Sequence, residues 1–136
     1  MHEKPPERAA SQAMRSLSRD AFDELVADAL EGLPDEFLDR LDNVVIVSED
    51  WPSGEQRQYH GLSQRETLLG LYEGVALTER EGYGMVLPDK ITIFNRPLEQ
   101  ICADEKDLIY QVQVTVVHEI AHHFGIDDER LHQLGY

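Results

Sequence analysis

The strongest constraint on the fold is the run from Asp104 to about Phe124, whose apolar residues recur with the period of a helix. Leu108, Ile109, Val112, Val116, Ile120 and Ala121 form one stripe, which must find a surface to cover it. Val114, Thr115, Val116 and Val117 lower the intrinsic helix propensity, so burial has to hold this segment helical. Gly125 can take φ > 0 where the helix must stop. The chain is 136 residues long and 41% hydrophobic, enough for one core around such a helix and not two.

The remaining segments supply that surface. Residues 1–16 are polar and proline-bearing and read as a disordered leader, within which Met14 offers an alternative start. The domain is expected over 17–136. Ser18 can cap a helix carrying Phe22, Leu25, Val26, Ala29 and Leu30 at helical spacing, ended by Gly32 and Pro34. A further short helical turn is placed at Pro34–Leu41. Val44–Val47 reads as a buried strand and Glu49–Gln64 as a polar loop. Thr67–Tyr72 reads as a strand, because Gly70 and Gly74 weaken a helix. Gly82–Leu87 and Ile91–Asn95 read as a hairpin turning at Pro88-Asp89-Lys90. The expected fold is α+β: a small mixed sheet of three or four strands packed against the N-terminal helix and the Asp104–Phe124 helix.

Charge and cysteine content narrow the partners. A net charge of −15 repels phosphate backbones and anionic lipid, so neither nucleic acid nor membrane is expected. Cys102 is the single cysteine, which rules out an internal disulfide and fits a cytoplasmic location. Its neighbours offer no activating base, so it reads as a packed thiol rather than a nucleophile. The N-terminal residues lack the apolar region of a secretory signal, and no apolar run is long enough to span a bilayer.

The chemistry concentrates in His118-Glu119-Ile120-Ala121-His122-His123-Phe124-Gly125-Ile126-Asp127-Asp128. Positions i and i+4 of a helix share a face, so His118 and His122 can direct two imidazoles at one ion. Catalytic zinc takes three protein ligands and keeps one position open. Gly125 permits a chain reversal that brings Asp128 within reach as the third ligand, with Asp127, Glu129 and His132 as other candidates. Glu119 lies about 100° around the helix from His118, where it can reach a water without competing for the metal, as a general base must. By composition alone HExxH arises in about 3 of 100 such chains; adding the Gly and Asp offsets lowers that to about 1 in 6,000. The extended pattern, not the short one, therefore carries the reading.

HEIAHHFGIDD resembles the HExxHxxGxxD signature of peptidases that use aspartate as third zinc ligand. It is closer still to the small bacterial zincin-like metallopeptidases, the minizincins, over roughly Leu17–Leu134. Leu33-Pro34-Asp35-Glu36-Phe37, Gly70-Leu71-Tyr72-Glu73-Gly74, Leu87-Pro88-Asp89-Lys90-Ile91 and Asn95-Arg96-Pro97-Leu98 extend the resemblance as looser signatures. The resemblance implies a minimal zincin-like α+β domain and one zinc ion. It also implies His118, His122 and Asp128 as ligands, Glu119 as catalytic base, and a peptide or protein as substrate. The chain departs from true metzincins in having no methionine after His118. Tyr72, Arg96, His123 and Tyr136 are candidates for stabilising an oxyanion. A zinc-binding regulatory or interaction domain without catalysis is the alternative, and such a domain would have no need of Glu119.

Overall fold

The computed structural model describes residues 14–59, 68–74 and 87–136. Helix α1 (Arg19–Glu31) begins as the sequence requires, with Ser18 Oγ accepting from the Ala21 amide at 3.1 Å, and ends at Gly32. A short α2 (Asp35–Arg40) follows Pro34. Strand β1 (Val44–Glu49) extends the expected Val44–Val47 by two residues. Helix α3 (Gly54–Tyr59) lies inside the stretch read as loop. Its start is a reciprocal cap: the Gln56 amide donates to Ser53 Oγ at 3.0 Å and the Ser53 amide to Gln56 Oε1 at 2.7 Å. Strands β2 (Gly70–Glu73) and β3 (Asp89–Phe94) lead into α4 (Asn95–Ile101), the long α5 (Glu105–Phe124) and the final α6 (Asp128–Gln133).

The three strands form one sheet in the order β1-β3-β2, with β1 parallel and β2 antiparallel to β3. The architecture is the small mixed α+β domain expected. The expected hairpin is corrected. Both edges of β3 are occupied, by β1 through Val44–Glu49 and by β2 through Gly70–Glu73, so β3 cannot also be one arm of a hairpin with Gly82–Leu87. Asp89 and Lys90, read as turn residues, are the first two residues of the strand. Residues 82–86 of that first arm lie outside the described residues. β3 is buried on both faces from Ile91 to Phe94, which erases the period-2 alternation of a half-exposed strand.

Helix α5 packs on α1 and β2, with further contacts to α2, α4 and β3. Its stripe is buried as Leu108, Val112, Val116, Ile120 and Ala121, joined by Val117 and Thr115, while Ile109 is half-buried. Phe22, Phe37, Ile91, Ile93 and Leu98 complete the core, each fully buried. Burial of side chains of this size contributes about 1.5–3 kcal/mol each, which is what holds a β-branched sequence helical. Gln113 Nε2 also donates to the Ala29 carbonyl at 3.0 Å, tying α5 to the C-terminal turn of α1.

At the N-terminal side, Met14–Ser18 run without regular structure, and the Met14 amide donates to the Cys102 carbonyl at 3.0 Å. The Leu17 amide donates to Glu99 Oε2 at 3.0 Å, and Arg96 Nη1 to Glu99 Oε1 at 2.9 Å, so this buried carboxylate is matched on both oxygens. Residues 1–13 of the expected leader lie outside the described residues. No helix among the described residues is long and apolar enough to cross a membrane.

Candidate metal centre and its cleft

Helix α5 starts where Asp104 Oδ1 accepts from the Asp107 amide at 2.8 Å, and it runs unbroken through the His118-Glu119-Ile120-Ala121-His122 segment. It stops at Gly125, whose φ of 75° is left-handed, and the Ile126 amide returns to the Ala121 carbonyl at 2.9 Å. The helix ends there, at the glycine the sequence marks for it. Asp127 then caps α6 by accepting from the Arg130 amide at 2.9 Å, and Asp128 is the first residue of that helix.

His118 and His122 lie one turn apart on the same face, their rings 6.3 Å apart and nearly perpendicular. His118 is half-buried, with Nε2 at 3.3 Å from the main-chain oxygen of Tyr136. Tyr136 reaches that position because its amide bonds the Leu131 carbonyl and its ring packs edge-on to Phe37. Burial, followed by the neighbouring Tyr110, raises the Tyr136 phenol above its ordinary pKa. Asp128 is exposed on the first turn of α6. Among the described residues no three His, Cys, Asp or Glu side chains converge as a metal-holding group. The structure thus brings the two imidazoles to one face and does not bring the Asp128 carboxylate to them. As a donor set, two imidazoles and one carboxylate are of the kinds zinc takes, so the chemistry of these residues fits the ion.

Glu119 faces the sheet. Its Oε1 accepts from the main-chain amide of Tyr72, on β2, at 2.9 Å. The Tyr72 hydroxyl donates to Asp89 Oδ2 at 2.7 Å, and its ring stacks on His123 with centroids 4.0 Å apart and planes inclined by 15°. His123 in turn meets Phe124 edge-on at 4.9 Å, and the Arg40 guanidinium lies 5.4 Å from the Phe124 ring centre. Leu68, Gly70, Leu71, Tyr72, Glu119, His122 and His123 line one open cleft of about 450 Å³ between β2 and α5.

The oxyanion candidates fall in three places. Tyr72 and His123 line the cleft, and Tyr136 lies against His118. Arg96 is paired with Glu99 and Asp50 and lines a separate crevice with Met14 and Trp51. Sequence reasoning missed Asp89 altogether, having taken it for a turn residue. It meets the Tyr72 hydroxyl only through the pairing of β2 with β3, which no local signal announces.

The comparisons agree with this geometry at the level of the family. Residues 41–136 match the zincin-like metallopeptidase family. A solved structure described as a conserved hypothetical protein from Thermus thermophilus superposes with a TM-score of 0.52 at 20% identity, covering 79% of this chain and 94% of that one. That likeness speaks to the fold alone. No curated protein matches the chain. The family match takes in the whole sheet, the whole of α5 and the HEIAHHFGIDD segment, and the chain belongs to the zincin-like metallopeptidase family.

Proposed function

We propose that this chain is a zinc-dependent metallopeptidase in which His118, His122 and Asp128 hold the ion and Glu119 is the general base. The observation that carries the reading is the placement of His118, Glu119 and His122 on one unbroken helix, with Glu119 and His122 lining a cleft between that helix and β2. Asp128 is the assigned third ligand because it follows the Gly125 reversal at the spacing of the family signature. The reading needs the α6 first turn to shift toward His118 and His122, and the contact of His118 Nε2 with the Tyr136 main-chain oxygen to give way to the ion.

Zinc, when bound, polarises the scissile carbonyl and lowers the pKa of the attacking water. The rest falls to the chain's own groups. Glu119 takes a proton from that water and passes it to the leaving amine. Among the described residues β2 lies at the edge of the sheet and packs on α5, so an extended substrate would add along β2, and not along the central β3. His123, in the same cleft, would donate to a developing oxyanion, while the Tyr72 hydroxyl stays bonded to Asp89.

The test is metal analysis with a peptide-library cleavage assay on purified protein. The reading expects one zinc per chain and cleavage that a chelator abolishes. His118→Ala should lose both. A full equivalent of zinc retained in His118→Ala would remove the ligand assignment. A metal-binding domain without catalysis would bind the same ion and cleave nothing, and it leaves Glu119 a bond to the Tyr72 amide but no part in chemistry.

A further inference from the structure

We propose that Tyr72 is a positioning residue for Glu119, aiming the carboxylate with its main-chain amide while its side chain fixes where that amide stands; this rests on the reading of Glu119 as general base. Thr115 and Glu119 are four residues apart on α5 and share a face. Gly70 and Tyr72 are two apart on β2 and share a side of the strand. The two pairs meet in register. Gly70 sits so close to Thr115 that a Cβ there would lie 2.5 Å from Thr115 Cγ2, and Tyr72 donates its amide to Glu119 Oε1 at 2.9 Å. The missing side chain at position 70 is what lets the strand approach the helix closely enough for that bond.

Strand β2 is only four residues long, and a main-chain amide on so short a strand gains from further anchoring. The Tyr72 side chain reinforces it from two directions. Its hydroxyl is bonded to Asp89 on the central strand at 2.7 Å, and its ring lies flat on His123 at 4.0 Å. Asp89 belongs to the sheet and His123 to the helix, so the one side chain spans the two elements whose separation sets the amide–carboxylate distance. Glu119 is half-buried in this open cleft, and a carboxylate side chain has several staggered rotamers to choose from. Holding one oxygen restricts the side chain to the orientation in which proton transfer occurs. A misplacement of ~1 Å at such a group costs up to about 10²-fold in rate.

The experiment uses the zinc-loaded full chain. Amide hydrogen exchange at residue 72 is measured in wild type, Glu119→Gln and Glu119→Ala. Glutamine can still accept through Oε1 and alanine cannot, so protection should persist in the first and fall at least about ten-fold in the second. Peptide cleavage is measured in Tyr72→Phe, which keeps the ring and removes the bond to Asp89. Its kcat should fall about ten-fold with KM and zinc content unchanged, the pattern of a group acting at the transition state alone. Equal exchange in wild type and Glu119→Ala overturns the proposal. So does a Tyr72→Phe variant that melts earlier yet keeps its kcat, since the bond to Asp89 would then serve stability only. Should wild type cleave nothing, the peptidase reading fails by itself, and the exchange comparison still decides whether Tyr72 holds Glu119.

Discussion

Cys102 shows how closely one residue's chemistry follows its packing. Its thiol is buried beside the start of α5, and burial first, then Asp107, Asp104 and Glu99, pushes its pKa from 9.0 to about 12. Such a group stays protonated and inert at neutral pH, as the lack of an activating neighbour in the sequence implied. The raised value also has a sign for stability. Below pH 9.0 folded and unfolded chains both hold the proton and nothing is lost. Between 9.0 and about 12 the unfolded chain releases it first, so stability falls as pH rises. Urea denaturation at pH 8 and pH 10.5 should show a steeper loss in wild type than in Cys102→Ala. Parallel losses would mean that the thiol titrates normally. The same logic of neighbours explains what was legible residue by residue. His118, Glu119 and His122 announce themselves because four residues of helix bring the two imidazoles together. Asp89 does not, because its partner Tyr72 lies 17 positions away and on another strand.

Among elements, α5 and its exit are the best specified by sequence and also the most exposed to a single change. Gly125 holds φ at 75°, a conformation that costs an L side chain about 1–2 kcal/mol. Gly125→Ala should therefore lower stability by about 1–2 kcal/mol, read from urea midpoints, and should loosen the reversal that leads to Asp128. No change in midpoint would show that the left-handed turn is dispensable. α1 and α5 were legible because caps and apolar period agree over their lengths. α3 and α4, of 6 and 7 residues, are too short for periodicity to register. A local signal was present in both: Ser53-Gly54-Glu55-Gln56 is a capping box, and Pro97 sits in a first turn, where proline is tolerated. Strand order was beyond reach for a different reason. Whether Asp89–Phe94 is central or an edge depends on pairing with β1, more than forty residues upstream.

For the whole molecule, the central fact is that one helix is both the spine of the core and the carrier of the candidate site. The face of α5 that bears Val112, Val116 and Ile120 fixes the helix against α1 and the sheet, and that fixes where His118, Glu119 and His122 stand. The net charge of −15 disfavours anionic partners. The claim that the site is a zincin centre with Glu119 as base is tested most directly by two variants measured together for zinc content and peptide cleavage. Glu119→Gln should keep one zinc and lose about 10²–10⁴-fold in turnover, because the amide can hold the water but cannot take its proton. Asp128→Ala should lose the metal itself, with two imidazoles left to hold it. A Glu119→Gln protein as active as wild type, or an Asp128→Ala protein that still carries a full equivalent of tightly held zinc, would contradict the account.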